Sequence, residues 1–501
     1  MVHLELQFEN KTCRYLRRNV WEVKDQEQTL EVKLPEGMPD IGSILAAWGQ
    51  CVMRGKEWRG DGMNVSGGVM AWVLYAPADS AEPRWIEAWL PVQVKWSFAD
   101  SVREGSIRAC WILKGIDART LSARKMMVRA NVSVLGEALE PAQEEISNAD
   151  QVPEDVQLLR RSYPVRLPME AGEKTFAVDE EFSLPSSMPA PEKIVCCSFE
   201  PQVTEQKVLG GKAVFRGNGN FHMLYQGIDG QLHSHDQEVS FSQFSDLDRD
   251  YDKDAEVTTM TALSSLEPEL QEGRVRLKCG LIAQYLVSDS IMLELVEDAY
   301  SPGRAVDVQT RELRLPVVLD NTRETVRFEG AIPENASRVV DVSVCMDQPS
   351  VRRAGDLTEL CCNGQFQVLF CDENGALQGR SARWSQTWEL PASMDADVLG
   401  AVQSVARPQA SAAAGQIGLS GELQAGAITV SQQALPMVTG LEMGEVENSD
   451  PSRPSLILRR AGDASLWEIA KGTGSTVSAI RKANGLTDEP LDDRLLLIPV
   501  S

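Results

Sequence analysis

Apolar and polar residues alternate with a period of two along much of this chain. Phe366-Gln367-Val368-Leu369-Phe370, Val128-Arg129-Ala130-Asn131-Val132-Ser133-Val134 and Leu90-Pro91-Val92-Gln93-Val94-Lys95-Trp96-Ser97-Phe98 follow it. Such alternation predicts strands with one face buried. Asp229-Gly230 and Asn374-Gly375 are hairpin signals between such runs, because both residue pairs tolerate positive φ. Helical spacing is scarce before residue 455; Ile41-Gly42-Ser43-Ile44-Leu45-Ala46-Ala47 is read as one short helix.

The strand pattern repeats. Leu34-Pro35 recurs as Leu184-Pro185 and as Ile332-Pro333. Gly67 to Tyr75 corresponds to Gly217 to Tyr225 and to Cys361 to Phe370, which aligns Tyr75, Tyr225 and Phe370. Val128-Arg129-Ala130 has counterparts in Val275-Arg276-Leu277 and Ile417-Gly418-Leu419. The expected architecture is therefore mainly β: three tandem sandwich or barrel-like repeats, followed by a small α+β module. The expected boundaries are 1–140, 160–305 and 306–444 for the repeats and 455–501 for the module. Acidic or proline-containing linkers are expected at 141–159 and 445–454.

In the last segment the period changes. Leu456-Ile457-Leu458 and Leu495-Leu496-Leu497-Ile498-Pro499 bracket two stretches of helical spacing, Leu466-Trp467-Ile469-Ala470 and Val477-Ile480-Ala483. Ser465 and Thr476 are N-cap candidates; Gly472 or Gly474, and Asn484-Gly485, are stop candidates. Trp467 reads as core, because so small a unit has few other large groups to bury. The order of strand, Gly462-Asp463 turn, Leu-Trp helix, Asn-Gly stop and Ile-Pro strand resembles the LysM module, a β–α–α–β unit that binds N-acetylglucosamine-containing glycans such as peptidoglycan.

The resemblance implies a shallow groove, with Gly462, Asp463, Ala464, Ser465 and Leu466 on one side and Asn484, Gly485 and Leu486 on the other. This chain carries one residue more in the first loop than the usual Gly-Asp-Thr-Leu-Trp, so weak or no binding to chitin-type oligomers is expected. Three β repeats with a terminal module of this kind, and the strand Arg124-Lys125-Met126-Met127-Val128, resemble the SPOCS-domain family of endospore-forming Firmicutes. Its LysM-bearing members include clostridial spore-coat morphogenetic proteins. That resemblance implies a place in the mother-cell cytoplasm at the forespore surface, with spore morphogenetic partners such as the coat basement-layer ATPase.

Composition narrows the chemistry. A formal charge of −24 over 501 residues repels nucleic acid and anionic lipid. The first residues show no basic-then-apolar signal, and no run approaches a membrane span. Ten cysteines include no Cys-x-x-Cys and read as reduced thiols. His222, His233 and His235 lie near one another, but a metal site is not expected there, and no cofactor is expected at all. The run Asp246 to Asp254 lacks the spacing of a calcium loop. No P-loop, Gly-x-Ser-x-Gly or His-Glu-x-x-His occurs. Asp463 and Glu468 lack the walls that a glycosidase pair needs. The expected function is a non-enzymatic spore-envelope scaffold. The alternatives are a peptidoglycan- or chitin-type glycan-binding protein and, behind it, a cell-wall hydrolase with an unrecognised catalytic domain.

Overall fold

The computed structural model describes every residue except 1–3, 81, 149–151, 272, 355–356, 391–396, 405–406, 414, 447–453, 487–493 and 501. A short strand β1 (Leu4–Gln7) precedes the first set of strands: β2 (Glu9–Lys33), β3 (Ile41–Arg59), β4 (Gly62–Pro77), β5 (Arg84–Ser97), β6 (Ser106–Ser122) and β7 (Lys125–Asn148). The first strand pairs with the last, the last with its predecessor, and β3-β4-β5 form a second antiparallel sheet. Alternating residues from both sheets, among them Val65, Tyr75, Val94, Val128 and Val132, close the core between them.

That connectivity returns twice. The second set comprises β8 (Gln157–Phe182), β9 (Pro191–Val208), β10 (Lys212–Gly227), β11 (Leu232–Asp246), β12 (Glu256–Gln271) and β13 (Arg274–Tyr300). It forms the sheets β12-β13-β8 and β11-β10-β9. In the third set β14 (Val306–Ile332) pairs with β21 (Gln416–Met443), whose other edge takes two short strands, β19 (Asp397–Ser404) and β20 (Gln409–Ala413). Its second sheet is built on β17 (Leu357–Cys371), flanked by β15 (Arg338–Met346), β16 (Ser350–Ala354) and β18 (Leu377–Leu390).

The irregularities repeat as faithfully as the strands. The register of β3, β9 and β15 slips at Leu45, Val195 and Val340. The long first strands slip at Asn19, Met169 and Leu319. An extra residue sharpens local twist, so each sheet bends at the same place. Tyr75 and Tyr225 lie at the ends of β4 and β10, and each hydroxyl donates to a proline carbonyl 3.1 Å away, Pro39 and Pro189 respectively. Phe370 occupies the matching end of β17, buried but with no hydroxyl to donate.

Two sequence readings are corrected here. Ile41 to Ala47 is the start of β3, not a helix. Its apolar spacing arises because two bulges fall in seven residues and reset the alternation. Residues 141–148, read as the beginning of a linker, continue β7 and pair with Glu9 to Leu16. The acidic composition conceals an alternation: Ala142 and Ile146 pack on a core while Pro141 and Gln143 are exposed. Glu137, earlier in β7, is fully buried, 2.8 Å from Arg18 and 2.9 Å from Arg108. The segment 447–453, the centre of the second expected linker, lies outside the described residues.

The segment 141–148 is strand because the three units share a hub. Tyr15, Val165 and Leu315 occupy the same place in β2, β8 and β14, and Leu295 and Met437 match Ile146 in β13, β21 and β7. Together they form one apolar cluster. Each fully buried aliphatic contributes about 1.5–3 kcal/mol, so the units hold one another directly and not through tethers. β1 pairs along the free edge of β21, Leu4 opposite Met443.

Candidate functional site

The C-terminal unit follows the order β22 (Leu456–Arg460), α1 (Leu466–Thr473), α2 (Val477–Asn484) and β23 (Leu495–Pro499). Ser465 caps α1: its hydroxyl accepts from the Glu468 amide, and the Glu468 carboxylate accepts from the Ser465 amide at 2.8 Å. Those bonds from Ser465 hold the Glu468 carboxyl below the usual carboxylate range. A glycosidase acid needs the opposite shift. Thr476 caps α2, and Gly474 and Gly485 end the helices in the left-handed region at φ 63° and 61°.

The eight loop residues part company. Leu466 is buried and belongs to the core with Ile469, Ala470, Ile480, Leu496 and Ile498. The Asn484 amide donates to the carbonyls of Ile480 and Leu497 at 2.8 and 2.6 Å, while its oxygen accepts from the Leu497 amide at 2.7 Å. It therefore ties α2 to β23 and has little left for a ligand. Gly462, at φ 57°, and Asp463 are exposed; Ala464 and Ser465 are half-buried. Leu486 is half-buried beside Gly485 and borders a shallow groove with Val477, Ser478, Arg481 and Lys482. That groove runs along α2 and not between the two loops.

Sequence reasoning missed the outer face of the two-stranded ribbon. Register places Leu456 opposite Pro499 and Leu458 opposite Leu497. The face carrying Ile457, Leu496 and Ile498 packs on the helices. The other leaves Leu456, Leu458 and Leu495 at 48%, 64% and 59% exposure. Three large exposed leucines on so small a unit form an apolar patch of the kind that marks an interaction surface. The signal was available, since Leu456-Ile457-Leu458 and Leu495 to Ile498 put more apolar residues on these strands than one buried face can take.

Trp467 is the latch between this unit and the second repeat. Its ring meets Tyr300 edge-on at 4.8 Å, and its indole N–H donates to Asp298 at 2.8 Å. Lys471 reaches both Asp298 oxygens at 2.7 Å, and the Tyr300 hydroxyl donates to the Ser475 carbonyl at 2.9 Å. The expected core role is thus half met, for the partner lies on β13. Asp298→Ala should loosen the docked unit by about 1–2 kcal/mol, given partial exposure of the charges. Hydrogen exchange should quicken across α1 and a protease should cut sooner near 445–454; unchanged protection in both would refute the latch.

A second cluster lies between the repeats. The buried Asp341 carboxylate accepts from the Trp48 indole at 2.9 Å and from Arg407 at 3.1 Å. His222 Nε2 is 3.0 Å from it, near enough for electrostatic attraction but off the direction of a hydrogen bond. Nδ1 of the same ring lies 2.7 Å from Asp236. One acid thus joins residues of all three repeats, a juxtaposition no local sequence signal could reveal. His233 pairs instead with Asp229 at 2.9 Å. Among the described residues no group of three or more His, Cys, Asp or Glu is arranged to hold a metal ion. Burial pushes the thiols of Cys110 and Cys345 up to about 11 and about 12, which makes them poor nucleophiles. None of the ten cysteines is bonded to another. No described helix is long and apolar enough to cross a membrane.

Residues 191–269 match the family described as SipL, SPOCS domain. The second repeat carries a SPOCS domain. The matched stretch coincides with β9 to β12, the second sheet and the strand that follows it, and leaves out the long hub strands β8 and β13. The match suggests a sporulation-related role. Neither a curated protein nor a solved structure matches it.

Proposed function

We propose that the protein is a non-enzymatic adaptor of the spore envelope, which joins coat-assembly proteins at the forespore surface through its β repeats and its C-terminal unit. The exposed leucine face of β22 and β23 carries this reading, because that unit is docked through α1 and presents the face outward. The SPOCS match supplies the sporulation context. Three copies of one architecture suit multivalent contact better than catalysis.

The β–α–α–β order of residues 456–499 supports the resemblance to LysM. With Leu466 in the core and the Asn484 amide engaged by β23, two of the eight groove residues have little to offer a sugar. A protein partner is favoured over glycan for that reason. It would be a spore morphogenetic protein such as the basement-layer ATPase, met in the mother-cell cytoplasm.

Leu458→Asp places a charge on the leucine face, and Leu486→Asp places one at the groove along α2. A fluorescent fusion carrying Leu458→Asp should lose recruitment to the forespore by tenfold or more, with its melting temperature unchanged. Leu486→Asp should show the same loss if the groove takes part in the contact. Normal recruitment of both well-folded variants would move the binding surface off this unit.

A further inference from the structure

The three repeats enclose a cavity of about 270 Å³. It is lined by matching stretches of β3, β9 and β15, so that Gln50, Glu200 and Cys345 occupy related positions around it. One water needs roughly 10–15 Å³ of such space, so there is room for an organic molecule.

The charges at this cavity are almost all matched. Arg108 is bound to Glu137 at 2.9 Å, Arg407 to Asp341 at 3.1 Å, and His222 to Asp236 at 2.7 Å. Two are not. Neither Glu200 nor Arg323 has a hydrogen-bond or ion-pair partner among the described residues, and both line the cavity. Glu256, the acid that acts on Arg323 through space, is itself paired with Arg166. Glu200 lies deep within the protein while its surface is open to the cavity space, and that depth governs its ionisation. Burial pushes its pKa up to about 7 against the lowering influence of Arg407. An unpaired charge at depth, as at Glu200, is costly unless something compensates it, and Arg323 presents an exposed, unpaired guanidinium to the same space. Five uncharged groups on the same walls also lack partners: Trp111 Nε1, Thr258 Oγ1, Thr259 Oγ1, Ser343 Oγ and Gln367 Oε1.

We propose that this cavity binds a small zwitterion, its ammonium end paired with Glu200 and its acidic end with Arg323. The two orphan groups have opposite sign and do not reach each other, so a single ligand with both charges satisfies them together. A simple amine or a simple acid satisfies one and leaves the other bare. Trp111, with a donor N–H, and Gln367, with an acceptor oxygen, provide orientation between the charged ends. This site is independent of the adaptor reading and stands or falls without it.

The test is calorimetric titration of the full chain with glycylglycine, 4-aminobutyrate and 6-aminohexanoate, which differ in charge separation. Hexylamine and hexanoate serve as singly charged controls. At least one zwitterion should saturate the protein and raise its Tm, with the controls tenfold weaker or worse. Glu200→Gln, which keeps the shape, and Arg323→Gln, which removes the guanidinium, should each weaken binding at least tenfold. Equal binding of either control, undiminished binding by both variants, or no binding by any of the three zwitterions would overturn the proposal. If a variant fails to fold, the comparison of zwitterions with controls on the unaltered chain still decides it.

Discussion

Asp341→Ala should destabilise the protein by about 3–5 kcal/mol, the usual cost of removing one member from a buried ionic cluster. The substitution leaves the Trp48 indole and His222 Nε2 facing a space with no acceptor, and leaves Arg407 with only the Val342 carbonyl and Asp236. Because those three side chains come from different repeats, the loss should appear as weakened coupling as well as lower overall stability. Urea unfolding followed by fluorescence should become broader or split. A change below about 1 kcal/mol, within the range of ordinary surface substitutions, would mean that the cluster contributes little. Acid has a related effect. Burial by itself opposes ionisation of Asp341, yet His222, Arg407 and Trp48 outweigh it and hold the carboxyl well below its ordinary range. Its contribution is therefore present above the unfolded carboxyl value of about 3.9 and is lost only as pH falls through the depressed folded value. The coupling of the repeats should thus persist at pH 4 and fail at lower pH.

The second large effect is steric. Gly379 opens the bend of β18 against the first repeat, where an added Cβ would fall 1.7 Å from the Leu45 carbonyl oxygen. That oxygen belongs to backbone at one of the repeated bulges, so no side chain can swing aside. Gly379→Ala should cost about 1–3 kcal/mol or more as overpacking, with the strain relieved by displacement of the third repeat from the first. Differential hydrogen exchange should show β18 and β3 losing protection together. Unaltered protection in both strands would show that the interface tolerates a methyl group.

Strand period, repeat spacing and the helix caps of the last unit were readable from local residues. Ser465, Thr476 and Gly485 each act within a turn of their own position, and local chemistry is what a sequence displays. What was hidden is long-range. Asp341 meets Trp48 across 293 residues, and Glu137 is buried just ahead of a stretch whose composition suggests a solvated tether. The helix read at Ile41 to Ala47 shows another limit, since two bulges imitate helical spacing without a helix. Trp467 was read as core to its own unit because its true partners, Asp298 and Tyr300, lie far back in the chain.

The pairing of β1 with β21 bears on how the chain is made. Residues 4–7 leave the ribosome long before residue 443, yet the edge they complete exists only after residue 443 has emerged. Until then β1 lacks this partner, and afterwards β21 in any chain offers that edge to whichever β1 is nearest. At high local concentration the nearest can belong to a neighbour, an exchange of identical elements that links chains without any new surface. Deleting residues 1–7 should abolish such linked species on a sizing column, and their persistence would place the exchange elsewhere. The strand that closes one molecule is thereby also the one best placed to join two.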